Sequence, residues 1–398
     1  MKNVLLYQMI MEGYDFGPFV TKLVIAFNKD EPLKAEDFSV TVTKQGGAFD
    51  SAPIVEGTRK VTSVKISGNY VTLELEVHPS CGVANGFRVE TKDEGEGKFH
   101  VGNQWAYPYK HTLTWKGTTF ELERTGIIMP LADSFVRGRF AASDDTTVLY
   151  GSFVPPEAEV SKRPLIIWLH GAGEGNWFGT QDVSIALIGN KVVSFVDKPI
   201  QSMMGGAYVL IPQISTMWMD DGTETYTKNG TTRYETALTE LIQRYLADHP
   251  NVDTERIFIG GCSNGGFMTM RMILSQPKMF AAAFPVCQGF NPEWITDEQI
   301  KNIAHIPIWQ IHAKNDTIVP FAWSESAHKR LLEANAKNVQ CTWYNNIADL
   351  TGLWLDEKGN PWEYDGHWAW IPVFNNAPHT VINGKETSLF EWLSMQKK

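Results

Sequence analysis

Between residues 19 and 77 the chain alternates apolar and polar positions with a period of two. "FVTKLVIAF" (19–27), "FSVTVTK" (38–44), "VTSVKIS" (61–67) and "YVTLELEV" (70–77) each set an apolar face against a polar one, the signature of half-buried strands. Asp30, Pro32, Gly46, Gly47 and Gly68 punctuate them, and "HTLTWKG" (111–117) reads as a further strand. Short strands with turn signals at this spacing predict an antiparallel, immunoglobulin-like β-sandwich over residues 1–130, although the Cys…Trp…Cys spacing of antibody domains is missing. This stretch holds no cluster of His, Asp or Glu that suggests chemistry. Its expected use is assembly or support, with a homo-oligomer formed through it.

After about residue 133 the pattern changes to short, continuous apolar runs separated by helical segments. The runs are "PLIIWL" (164–169), "AYVLIP" (207–212), "RIFIG" (256–260), "AAAFPV" (281–286), "IPIWQI" (306–311) and "QCTWYN" (340–345). Parallel strands covered on both faces read this way. "TTRYETALTELIQRYLADHP" (231–250) lies between two of them, with Thr232 and Glu235 matching a capping box and Ala237, Leu238, Leu241, Ile242, Tyr245 and Leu246 on one face. Residues 131–398 therefore predict an α/β domain whose mostly parallel sheet is flanked by helices. Its active site should lie at the carboxyl ends of the strands.

Composition narrows the picture. The 398 residues carry a net charge of −10 and are 43% hydrophobic and 20% charged. An acidic globular chain of this kind is poorly suited to displacing counterions from nucleic acid. No apolar run reaches the ~20 residues of a membrane helix. The start, "MKNVLLYQMIMEGYDFG", has no convincing cleavage site, so a cytoplasmic protein is expected, or a secreted one if a signal once preceded it. Four cysteines, at 81, 262, 287 and 341, show neither CxxC nor zinc spacing. Cys262 and Cys287 end neighbouring predicted strands, where either two thiols or a disulfide is expected.

The candidate chemistry starts at "GCSNG" (261–265), a G-x-S-x-G pattern between the strand "RIFIG" and a helical segment. Glycines permit the sharp turn that lifts Ser263 above a sheet. A serine nucleophile needs a base, and the base needs an orienting acid. Asp316 follows the strand "IPIWQI" and is the expected acid, ahead of Asp365 and Glu363. His367 is favoured over His379 as the base, giving the chain order nucleophile, acid, histidine. Backbone N–H groups of Asn264 and Ala172, with Gly171 as alternate, are the expected oxyanion donors, and His170 reads as structural. Of fourteen tryptophans, Trp177, Trp218, Trp294, Trp323, Trp368 and Trp370 fall in loops after strands or beside the triad positions. Flat aromatic faces suit sugars or aryl acids, so Trp177, Trp218, Trp368 and Trp370 are expected to meet substrate. Glu174 and Gln213 are expected to orient loops or bind substrate. No metal or other cofactor is called for.

"HGAGEG", "GCSNGGF", "HAKNDTIVP" and "DGHWAW", in this order, resemble the α/β-hydrolase superfamily. Within it the chain resembles bacterial carboxylesterases of the polyhydroxybutyrate depolymerase and feruloyl esterase type. Some of these carry an immunoglobulin-like N-terminal domain whose opening "YDFGPFVTKLVI" resembles. The resemblance implies a serine carboxylesterase acting on a small-molecule or carbohydrate-linked ester. Alternatives are a serine peptidase of prolyl-oligopeptidase type and a non-catalytic carbohydrate or aryl-ligand recognition protein. "IADLTGLWLDEKGNPWEYDG" departs from the family pattern and reads as an inserted hairpin near 346–362.

Overall fold

The computed structural model describes residues 3–28, 31–45, 54–93, 99–177, 179 and 182–398. The chain divides into two compact units. One comprises 1–91, 103–134 and 188–191; the other comprises 92–102, 135–187 and 192–398.

The first nine strands are β1 (Val4–Tyr14), β2 (Gly17–Ala26), β3 (Phe38–Gln45), β4 (Ile54–Ser67), β5 (Tyr70–Leu75), β6 (Phe87–Asp93), β7 (Phe99–Trp105), β8 (Tyr109–Trp115) and β9 (Thr118–Ile128), all within the first unit except the end of β6 and the start of β7, which fall in 92–102. Seven of these form a closed barrel in the order β1-β2-β5-β4-β3-β8-β9. The ring closes because β1 pairs antiparallel with β2 on one side and parallel with β9 on the other. The expected immunoglobulin-like sandwich is thus corrected to a barrel. Period-two alternation marks a strand with one buried face, and a sandwich and a barrel both provide one. The distinction lies in whether the first and last strands meet. Val40, Val42, Val71, Leu73 and Leu113 fill the interior with no more than 1% exposure.

The second unit holds an eight-stranded sheet of β10 (Val136–Ala141), β11 (Thr147–Phe153), β12 (Arg163–Leu169), β13 (Tyr208–Gln213), β14 (Val252–Cys262), β15 (Ala282–Val286), β16 (Ile308–Ala313) and β17 (Val339–Tyr344). The order is β10-β11-β13-β12-β14-β15-β16-β17. β11 runs antiparallel to both its neighbours, and the other pairings are parallel. From β12 the chain moves first to β13 on one side and then to β14 on the other. The loops after β12 and β14 therefore part at a switch in strand order, where such sheets open a crevice. Leu165, Ile166, Ile167, Trp168 and Leu169 are fully buried, as their unbroken apolar run requires.

The helix at 231–250 forms from Glu235 to Asp248 and buries the expected apolar face apart from the partly buried Leu246, but the capping box does not form. Tyr234 takes the N-cap position. Thr232 Oγ1 instead accepts from the Tyr234 N–H at 3.1 Å, and the Glu235 carboxylate pairs with Arg271. The local serine/threonine turn and a tertiary ion pair outcompete the reciprocal cap.

Candidate active site

Ser263 sits at the β14-to-helix turn with φ 55° and ψ −111°, a backbone conformation that costs a non-glycine residue about 1–3 kcal/mol. Neighbouring glycines make the turn sterically feasible. A Cβ on Gly265 would lie 1.9 Å from the Leu169 carbonyl oxygen, and one on Gly261 would lie 2.6 Å from the same atom. The helix Asn264–Ser275 therefore starts directly against the end of β12. Its first residue, Asn264, is 2% exposed and its side-chain Oδ1 accepts from the Met219 N–H at 3.1 Å.

Asp316 follows β16, and its side chain is fully buried. The His367 Nδ1–H donates to Asp316 Oδ2 at 2.8 Å. That fixes the neutral ring with Nε2 unprotonated, and Nε2 accepts from Ser263 Oγ–H at 2.9 Å. Gly366 lets the two loops meet, since a Cβ there would sit 2.4 Å from Asn315 Oδ1. The Asp365 carboxylate accepts from the His367 N–H and shapes the loop. His379 lies apart from this group, exposed and paired with Glu386 at 3.3 Å.

A second imidazole was not anticipated from the sequence. His312 Nε2–H donates to the same Asp316 Oδ2 at 2.9 Å, while its Nδ1 accepts from Ser324 Oγ–H at 2.8 Å. The Ile318 and Val319 N–H groups donate to Asp316 Oδ1 at 2.8 and 2.9 Å. Burial alone would raise the carboxyl pKa. Hydrogen bonds from His312, His367 and Val319 outweigh it and hold the group well below the usual carboxylate range. The only signal in the sequence was a histidine four residues before the acid, inside a strand that reads as core.

Two backbone segments border the nucleophile. Ala172 begins a 3-10 turn, Ala172–Glu174, capped by Gly171, and Asn264 begins an α-helix. First-turn N–H groups have no partner within their own helix. His170 braces the first segment. Its Nδ1–H donates to the Gly171 carbonyl at 2.6 Å and its Nε2 accepts from the Ile214 N–H at 3.4 Å. Burial, only partly offset by the Gly171 bond, pushes its pKa down to about 4, so the ring is neutral.

The other expected site residues divide. Trp368 and Trp370 stack on each other, and Trp370 stands edge-on to His367 with ring centroids 5.5 Å apart. Trp177 is partly exposed in the loop after the 3-10 turn. Trp218 is corrected to a core residue, fully buried against His170 and Tyr234. A position after a strand does not determine which way the side chain turns. Gln213 and Glu174 are also buried, and Gln213 Nε2–H donates to the Glu174 carbonyl at 2.8 Å, which ties the two loops together. Gln288, also missed, is 1% exposed next to the elbow, and among the described residues neither polar atom of its amide has a hydrogen-bond partner.

All four cysteines are free thiols, so the disulfide alternative for Cys262 and Cys287 is set aside. Ligand atoms of Cys287, Asp316 and His367 lie within 4.8 Å of one another. Burial first, and the Asp316 charge second, push the Cys287 thiol well up. A metal on this trio would have to draw His367 away from Asp316 or Ser263.

Sheet order, elbow and side-chain order define an α/β-hydrolase. Residues 153–350 match the phospholipase/carboxylesterase family model, in keeping with the α/β-hydrolase fold of the second unit. A thermostable esterase of known structure superposes with a TM-score of 0.74 at 24% identity, covering 100% of both chains, which extends the shared fold to the whole molecule. Acyl-protein thioesterase 1 homolog 2 of Dictyostelium discoideum is 32% identical over 97 residues, which is 24% of this chain and 43% of that protein. The chain thus spans less than half the length of that relative. A ferulic acid esterase structure matches with a TM-score of 0.40 at 12% identity over 53% of this chain and 89% of its own, too low to refine the assignment. No described helix is long and apolar enough to cross a membrane.

Proposed function

We propose that the protein is a serine hydrolase that cleaves carboxylic esters through an acyl-enzyme. The observation carrying this reading is the 2.9 Å contact from Ser263 Oγ to His367 Nε2, with Asp316 on the opposite ring nitrogen at 2.8 Å. Ser263 attacks the ester carbonyl as His367 takes its proton. Asp316 holds the useful tautomer and stabilises the imidazolium. The N–H groups of Ala172 and Asn264, with Gly171 as alternate, stabilise the oxyanion. His367 then protonates the leaving alkoxide, and water enters by the same route to release the acid. Trp177, Trp368 and Trp370 border the acyl or alcohol site.

The similarity to an acyl-protein thioesterase homolog makes thioesters a second substrate class on the same machinery. The test is a panel of short p-nitrophenyl esters, a feruloyl ester, an acyl thioester and a peptide anilide, each with Ser263→Ala as control. Hydrolysis of an ester or thioester that Ser263→Ala abolishes is expected. Cleavage of the anilide alone would favour a peptidase, and no turnover of any would favour a recognition protein. Assembly through the N-terminal unit is proposed as well. Light scattering should give a mass above one chain, and a monomer at micromolar concentration would exclude it.

A further inference from the structure

The barrel of the first unit is apolar at one end and basic at the other. At the apolar end Phe27 packs against Phe38, Trp115 and Phe120. At the other end Tyr7 O–H and His111 Nδ1 share a 2.8 Å hydrogen bond. The Tyr109 ring stands 5.2 Å from His111, with Lys44 Nζ 5.9 Å from the Tyr109 centroid. Arg59, on β4, is 1% exposed and reaches the Val20 and Glu76 carbonyls with Nη2. Among the described residues its Nε and Nη1 have no hydrogen-bond partner, and neither has His111 Nε2. Among the described residues no carboxylate forms an ion pair with Lys44, Arg59 or Arg124. A buried cation without a counterion is costly.

The barrel wall opens beside these groups. β8 pairs with β9 only from Thr112 onward, opposite Glu121. Residues Tyr109 to His111 stay on β3, while Leu122 to Arg124 stay on β1. A cleft of about 660 Å³ lies at the split, lined by Tyr7, Tyr109, Lys110, His111 and Arg124 and also by Glu121 and Glu123, while Arg59 is not in its lining. Strand alternation from the buried Phe120 puts Leu122 and Arg124 on the opposite face of β9 from Glu121 and Glu123, with Arg124 exposed at the mouth of the cleft. Two guanidinium charges act on the buried imidazole. Burial, reinforced by the charges of Arg59 and Arg124, pushes His111 down to about 3.

We propose that this end of the barrel binds a small oxyanion, a carboxylate or phosphate group, admitted through the β8–β9 split and held by Arg59, His111 and Arg124. Such a group accepts the orphaned donors and supplies the missing negative charge, and charge-assisted bonds of this kind are the strong ones.

The test uses the full chain with inorganic phosphate and acetate at constant ionic strength, read by calorimetry and by the imidazole resonances. His111→Gln serves to assign the His111 signal. Saturable binding that moves the His111 signal is expected for at least one anion, and which one binds fixes the class. Arg124→Gln, at the exposed mouth, should weaken it about tenfold with ester turnover unchanged. Ser263→Ala should bind the anion as the wild type does, which separates this site from the oxyanion donors. Arg59→Met should abolish binding; if it fails to fold, Arg124→Gln decides alone. Absence of saturable binding of either anion, or binding indifferent to Arg124→Gln, would overturn the proposal.

Discussion

Two buried charged clusters, one in each unit, solve opposite problems. Asp316 is a buried acid that gathers two imidazoles and two backbone N–H groups, and it stays ionised. In the barrel, His111, Lys44 and Arg59 are buried bases facing carbonyls, a phenol and one another, and each is driven toward its neutral form. Burial pushes both clusters the same way, toward neutrality. Only the first has enough partners to resist, which is what the orienting acid of the proposed triad requires.

The comparison breaks first at the nucleophile. Ser263→Ala should fold and lose roughly 10⁴-fold or more of kcat on an ester substrate, and an organophosphorus reagent should label Ser263 alone. Labelling elsewhere would remove the assignment. Asp316→Asn comes next, with a loss of about 10⁴-fold as the wrong tautomer is favoured. His367→Ala should be comparably damaged while His379→Ala retains turnover, as steady-state kinetics would show.

His312 sharpens the contrast. His312→Leu strips one donor from a buried carboxylate and should cost about 1–3 kcal/mol of stability. It should also lower kcat about tenfold, the equivalent of a 1.4 kcal/mol rise in the barrier. His312→Gln, which keeps an N–H, should recover part of both, with KM little changed. A loss of stability without any change in kcat would make His312 merely structural.

The smallest effect is on acid stability. His111 has a folded value near 3, below the ~6.5 of an unfolded histidine, so the unfolded chain binds the extra proton between those limits. Stability should therefore fall as pH drops below about 6.5, by on the order of 2 kcal/mol at pH 4.5. Asp316 is also depressed, but from an unfolded value near 4, so its contribution is intact until pH falls below that. Thermal melts of His111→Asn should show a flatter decline from pH 7 to 4.5 than the wild type; parallel curves would contradict this account.

The sequence made the catalytic unit legible because its strands are continuous apolar runs and its site follows a fixed chain order. Ser263, Asp316 and His367 meet as those cues imply. Legibility ended where a side chain's direction matters. Trp218 turns into the core, and His312 turns out of a strand toward the acid. Edge elements were also hidden: β10 buries none of its residues, so no periodic apolar signal marks it. β1 and β9 were missed for related reasons. "VLLYQMIMEGY" mixes apolar residues on both faces, and "TTFELERTGII" is mostly exposed. These two strands close the barrel, so missing them turned a ring into an open sandwich.

The parallel seam between β1 and β9 has a consequence for synthesis. β1 leaves the ribosome early, but its partner from Thr118 to Ile128 arrives only after every other strand of the ring. At about 5–20 residues per second, that interval is on the order of ten seconds. Throughout it, Tyr7, Met9 and Met11, all buried in the finished ring, wait on a strand with one edge open to whatever nascent chain or chaperone stands nearby. The last stitch of the barrel is therefore also its exposed moment.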